Sequence, residues 1–183
     1  MYHGLAGHLL LSGVPHVLKV RIIADLSDRV CDEMRREGIG EQEARSSILK
    51  DDQERRKWTQ SLYGADPWDS SLYDLVIHIH KLTVADAVDF VCQAVGLEQF
   101  RATRESQQKM DDLTLASQVK AALVHPYQDV AVTSEYGNVL IYTRAEDRIT
   151  HKLEERARTL SREIEGINHV EVHAKVPIPL NAV

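Results

Sequence analysis

The chain is poor in aromatic residues, at 5% of 183 positions, has only two cysteines, and contains no glycine followed by lysine. The last absence excludes most. A Walker A loop, Gly-x-x-x-x-Gly-Lys-Ser/Thr, needs backbone amides to cradle phosphates and a lysine to reach their outer oxygens. The glycines at 4, 7, 13, 38, 40, 64, 96, 137 and 166 build nothing of the kind. Cys31 and Cys92 are too few for a disulfide scaffold and fit a reducing compartment, as small buried hydrophobes. Long apolar runs are also missing. The stretch around Leu9 to Leu11 is broken by His8 and Ser12, and no charged segment precedes it, so neither a signal peptide nor a membrane span is expected and the predicted location is cytoplasmic. Basic excess is absent throughout: 13 basic minus 17 acidic residues gives −4 for positions 1–105, and 9 minus 11 gives −2 for the rest, within a net charge of −6. Such a chain has no field to attract nucleic acid or anionic membrane. Trp58, Trp68 and Tyr73 then read as packing residues and not as base-stacking platforms. No Gly-x-Ser-x-Gly or Ser-His-Asp arrangement occurs. His78-x-His80 places two imidazoles on one face of a strand, but no cysteine or carboxylate follows at ligand spacing, so these histidines are expected to be core or surface residues and no metal site is predicted.

What is present is an ordinary globular composition, 43% hydrophobic and 27% charged, in a length that suits two small domains or one domain with an appendage. Val17 to Ile23 is a nearly continuous apolar run, as expected for a strand covered on both faces in a parallel sheet. A helix follows, with Ser27 as its expected N-cap, Val30 and Met34 on one face and Gly38 just past its end. A longer helix is predicted from Glu41 to Leu62, with Ala44 and Ile48 inward, closed by Gly64-Ala65-Asp66-Pro67. Leu72 to Ile79 reads as a second strand. Thr83 and Asp86 form an approximate capping box for a helix whose buried stripe is Ala87, Val88, Val91 and Val95, with Gly96 as its stop. From Gln99 the pattern turns polar and aperiodic, and residues 99–111 are assigned as a linker between a domain at 1–98 and another at 112–177.

The second domain has its own rhythm. Leu113, Ala116, Val119 and Leu123 suit a helix; Val130 and Val132 lead to a turn at Tyr136-Gly137-Asn138, and Val139 and Ile141 lead out of it. Ile149, Leu153, Ala157, Leu160 and Ile164 make a helical stripe, and Val170, Val172, Ala174 and Val176 alternate in a closing strand. The predicted fold class is therefore α/β, a partial parallel sheet with helices, followed by a small α-β-β-α-β domain.

Two segments carry a resemblance. Ile48 to Arg56, followed by Leu62-Tyr63-Gly64-Ala65-Asp66-Pro67-Trp68-Asp69 and Leu72 to Ile77, resembles the C-terminal half of the cytidylate kinase-like family, whose function is ATP-dependent phosphoryl transfer to a nucleoside monophosphate with Mg²⁺. The resemblance implies a lid helix whose cations Arg55, Arg56 and Lys50 would neutralise charge on the transferring phosphoryl group, with Asp51 or Asp52 holding them. The bland alternative is a solvated, salt-bridged helix face. Gly4-Leu5-Ala6-Gly7-His8 resembles the glycine-rich element of these kinases, so Gly4 and Gly7 would lie at the acceptor, although Leu5 stands where an arginine grips the phosphate. His3 or His8 is a candidate replacement. The Walker A half of such a domain is not in these residues, and the expectation is a truncated start, inactive alone, with ATP and Mg²⁺ belonging to an intact protein.

Residues 112–177 resemble a BON domain through their element order, Tyr136-Gly137-Asn138-Val139 and Glu165-Gly166-Ile167-Asn168-His169-Val170. That implies a binding module for lipid or a small ligand. The alternative function for the whole is a non-catalytic regulatory protein in which the kinase-like part is a scaffold.

Overall fold

The computed structural model describes residues 1–127, 129–179 and 181–183. The chain forms two compact units, Met1–Arg101 and Ala102–Val183.

The first unit runs α1 (Gly7–Leu10), β1 (Val20–Ala24), α2 (Leu26–Glu37), α3 (Glu41–Tyr63), a 3-10 turn at Ser70–Leu72, β2 (Leu75–Ile79), α4 (Val84–Val95) and a 3-10 turn at Glu98–Phe100. Strands β1 and β2 pair in parallel with Ile22 opposite Ile77, in a sheet of two strands. So small a sheet cannot cover its own faces. Ile77 is buried, but Ile22 is 60% exposed, which corrects the expectation that its strand would be covered on both sides.

The helix ends follow local chemistry. Gly38 and Gly64, at φ 68 and 64, close α2 and α3 in the left-handed region that glycine enters without penalty. Thr83 and Asp86 form the full reciprocal capping box of α4. The cap of α2 is Asp25 and not Ser27, which lies inside the first turn, because the chain turns helical two residues after β1 ends. Val30, Ala44 and Ile48 form the α2/α3 core, with Leu26, Met34 and Ile39 against it. The stripe predicted on α4 is only partly buried: Ala87 is covered, whereas Val88 and Val95 are 55% and 51% exposed, the apolar face being wider than the sheet beneath it. Cys31 and Cys92 are exposed, contrary to expectation.

The segment assigned as a linker is largely ordered. Thr103 caps α5 (Arg104–Val124), its N–H donating to Ser106 Oγ at 2.9 Å while Ser106 N–H donates to Thr103 Oγ1 at 3.1 Å. Residues 104–111 are thus the first two turns of a helix, largely exposed but with Ser106 buried in its capping box. Only Arg101 and Ala102 separate the preceding 3-10 turn from this cap.

The second unit continues with β3 (Val130–Glu135), β4 (Asn138–Thr143), α6 (Asp147–Glu163) and β5 (His169–Ala174), the helix-strand-strand-helix-strand order that the periodicity predicts. Its sheet order is β3-β4-β5, antiparallel in the first pair and parallel in the second. Leu115, Val119 and Leu123 of α5 and Leu153, Ala157 and Leu160 of α6 bury against Val132, Val139 and Ile141. The α5 stripe passes through buried Leu115, with Leu113 at its margin. At the hairpin tip Tyr136 and Gly137 both take positive φ, 49 and 76, the signature of a type I′ turn. A Cβ on Gly137 would also sit 2.5 Å from the Gly166 carbonyl oxygen. Buried Asp112 accepts from Gly137 N–H at 3.2 Å and from Ser134 Oγ at 3.1 Å, fixing the tip to α5. Val183 exchanges two backbone hydrogen bonds with Val132, at 3.1 and 2.9 Å, beside β3. No helix among the described residues is long and apolar enough to cross a membrane.

Candidate functional site

Helix α3 carries the cations singled out in the sequence, and the structure separates them. Ala44, Ile48 and Thr59 are its buried positions, and they trace one face at helical spacing. Arg55 falls on that face between Ile48 and Thr59, beyond the stretch that α2 covers. Its side chain is exposed, and among the described residues it has no ion pair or side-chain hydrogen bond; only its carbonyl is used, accepting from Thr59 Oγ1 at 2.8 Å.

The other candidates are committed or face elsewhere. Arg56 is held by Asp66: its Nε donates to both carboxylate oxygens at 3.1 Å, and its guanidinium lies over the Trp68 ring, 4.4 Å from the centroid. The Gly64 turn makes this possible by returning the chain toward α3. The hydrogen bond from Arg56, reinforced by the Trp68 N–H, holds the Asp66 carboxyl below its usual range. Asp52 takes a bidentate bond from Arg29, at 2.7 and 2.8 Å, which ties α2 to α3. It holds none of the lid cations. That bond raises the Arg29 pKa still further. Lys50 lies about 140° around the helix from Arg55 by the 3.6-residue period, strongly exposed and 4.0 Å from Glu54. Asp51 is exposed as well. Of the three cations, Lys50 and Arg55 thus face different sides of α3, and Arg56 is paired with Asp66.

At the N-terminus Gly4 and Gly7 lie against the Tyr2 ring, which would collide with a Cβ at either position. His8 stacks on Tyr73 at 4.6 Å between centroids. Burial, helped by Lys19 and Arg21, lowers its pKa and so disfavours its charged form, unlike an arginine's fixed charge. The positive-φ glycines 38, 64, 137 and 166 sit at helix C-termini and turns and precede Ile39, Ala65, Asn138 and Ile167, so none belongs to a loop with a lysine that could seat Mg·ATP. The residues present do not fit that group by themselves.

The His78-x-His80 pair, for which no carboxylate partner was expected, has two. His78 and His80 meet two carboxylates at the carboxyl ends of β1 and β2, and ligand atoms of Asp25, Asp28 and His80 lie within 4.8 Å of one another. The hydrogen bond and charge of Asp28, with Asp25 behind it, raise the His80 pKa.

Residues 1–81 match the cytidylate kinase-like family. Uronate isomerase from Corynebacterium glutamicum is 32% identical over 90 residues, a stretch equal to 49% of this chain and 17% of that enzyme. The chain thus spans a small part of the length of that curated relative. An uncharacterized protein from Eubacterium ventriosum, known from its crystal structure, aligns with a TM-score of 0.45 at 28% identity, covering 46% of this chain and 48% of that one.

Proposed function

We propose that residues 1–101 are the acceptor-and-lid part of a phosphotransferase of the nucleoside monophosphate kinase type, with Arg55 as the cation offered to phosphate oxygens. The observation that carries this reading is the position of Arg55: a guanidinium with no protein partner among the described residues, on the inward face of α3, in a segment that matches the cytidylate kinase-like family. Phosphoryl transfer asks for positioned positive charge more than for covalent help, and a guanidinium fork can meet two phosphate oxygens at once. Arg56 and Asp66 then set the end of the lid helix, and Arg29 and Asp52 set its base. Gly4 and Gly7, packed on Tyr2, belong to the acceptor side of the same reading. A phosphate-binding loop has to come from outside the 183 residues, so this chain by itself should show no saturable Mg·ATP binding in calorimetry at millimolar nucleotide.

The deciding test reads the coding DNA upstream of Met1 in frame: a stop codon close to Met1 favours the non-catalytic alternative, and an open frame encoding a Gly-rich loop with lysine is expressed as the longer product. Phosphoryl transfer from ATP to a nucleoside monophosphate should then appear. Arg55→Ala should lower kcat by about 10²-fold or more, as loss of one preorganised charge-stabilising donor does, with the melting temperature unchanged, and Arg55→Lys should recover part of the rate. A longer product without transferase activity, or an Arg55→Ala variant with full turnover, would sink the reading and favour a non-catalytic role. For residues 102–183 we infer a BON-like binding module for a lipid or small ligand, supported by the α5-β3-β4-α6-β5 order and the Tyr136-Gly137 turn.

A further inference from the structure

Parallel α/β sheets present ligands at the carboxyl ends of their strands, where chain and helix N-terminus leave a crevice. Here β1 ends at Ala24 and β2 at Ile79, paired directly in register. The residues that follow, Asp25 and His80, are brought side by side, and His78 joins His80 because strand side chains repeat every second residue. Asp28 enters from the first turn of α2, three residues after its cap.

The distances are short and convergent. His78 Nε2 is 3.2 Å from Asp25 Oδ1; His80 Nδ1 is 3.4 Å from Asp25 Oδ2 and 3.0 Å from Asp28 Oδ2. The imidazole rings stack at 6.2 Å between centroids. A hydrogen bond explains one of these contacts but not the set, since Nδ1 carries at most one proton and two carboxylate oxygens approach it. Ligand atoms of Asp25, Asp28 and His80 lie within 4.8 Å of one another, so a single cation can take all three, with His78 against Asp25 as the fourth donor. With metal-ligand bonds of about 2.0–2.2 Å, the donors of a tetrahedral site stand about 3.3–3.6 Å apart, close to the spacing seen.

We propose that Asp25, Asp28, His78 and His80 form a binding site for one divalent transition-metal ion of the zinc class. Two imidazoles and two carboxylates are a borderline donor set that suits zinc and its neighbours and disfavours magnesium, which selects oxygen alone. The four side chains are each between 48% and 54% exposed, so the ion has an open path and keeps a side toward solvent, as a site with an exchangeable position does. The inference is independent of the phosphotransfer reading, which concerns Arg55 and Mg·ATP.

A second imidazole-carboxylate group provides an internal contrast. On β5, His169 and His173 contact the single carboxylate of Glu171, at 2.8 and 3.2 Å, and among the described residues no second carboxylate joins them as Asp28 joins His80. The test is a calorimetric titration of the tag-free, chelator-treated full chain with zinc chloride, repeated with cobalt(II), whose visible absorption reports its coordination. One saturable ion per chain is expected, weakened at least tenfold in His78→Ala/His80→Ala and in Asp28→Asn, and unchanged in His169→Ala/His173→Ala or Cys31→Ser/Cys92→Ser. Circular dichroism of the exposed-site variants confirms that they fold. No saturable binding, binding that survives the loss of His78 and His80, or binding lost with the β5 histidines or the thiols would overturn the proposal.

Discussion

In residues 102–183, Val119, Leu123, Val132, Val139, Ile141 and Leu153 all reach zero exposure, whereas among the described apolar residues of 1–101 only Ala44 does, and Ile22, Val84, Val88 and Val95 stand more than half open. Local order does not separate the two units. Helix ends are as well defined at Gly38, Gly64 and Thr83 as at Thr103. What differs is coverage: a three-stranded sheet with two helices encloses a core, and a two-stranded sheet with three long helices leaves apolar faces uncovered. Secondary structure in this protein is a local property, and burial is a matter of how many layers the chain supplies.

The largest effect should come from the enclosed core. Leu153→Ala is expected to cost about 2–5 kcal/mol in denaturant unfolding, because the emptied volume sits among fixed neighbours. Val88→Ala should stay within about 0.5 kcal/mol. Equal costs would break the contrast, showing that the α4 face is covered in solution. Next comes the hairpin tip, where Gly137→Ala combines positive φ with a Cβ on the Gly166 carbonyl and should cost about 1–3 kcal/mol. A proteolytic test needs no mutation: trypsin should cut first after Arg101, between the 3-10 turn and the Thr103 cap, and release 102–183 as a folded fragment of mixed α/β circular dichroism. First cleavage at Arg104 or Lys109, within α5, would show that the helix start frays.

The smallest effect is electrostatic. Asp66 titrates below its ordinary value in the folded chain because Arg56 donates to it, so its contribution is complete above the unfolded carboxyl value of about 3.9 and is lost as pH falls through the lower folded value. Thermal stability of the wild type should fall in that acid window more than that of Asp66→Asn, measured by melting from pH 5 downward. An identical pH dependence in both proteins would mean that the pair contributes nothing.

The parts legible in the sequence were those encoded within a few residues. Gly38, Gly64, the Thr83/Asp86 box, the Tyr136-Gly137 turn and the Leu153-Ala157-Leu160 stripe each state their structure locally. The Thr103/Ser106 cap was just as local, but a serine at the third helical position is a weaker sign than glutamate, so the polar turns of α5 looked like linker. Exposure of Ile22, Val88, Cys31 and Cys92 depends on what lies opposite and leaves no trace in periodicity. Arg55 was legible as a cation, yet its freedom was not, since Arg56 is claimed by Asp66 across a turn and Asp52 by Arg29 of another helix. The histidine-aspartate grouping was hidden for the same reason: Asp28 and His80 are 52 residues apart and meet only through parallel pairing.

Asn168 bears on the order of folding events. Its backbone N–H donates to the Gly137 carbonyl at 2.8 Å and its side-chain amide to the Tyr136 carbonyl at 2.9 Å, so the chain after α6 grips the tip of the preceding hairpin. A hairpin such as β3-β4 closes in about 1–10 μs, but β5 can pair with β4 only after the whole of α6 has been brought round, a loop closure whose entropy falls due before any ladder bond forms. The grip lies at the start of the β4-β5 register, where Asn138 pairs with His169. It can therefore act as the first link of that parallel ladder, and Asn168→Ala is expected to slow refolding, read by stopped-flow, more than it lowers equilibrium stability.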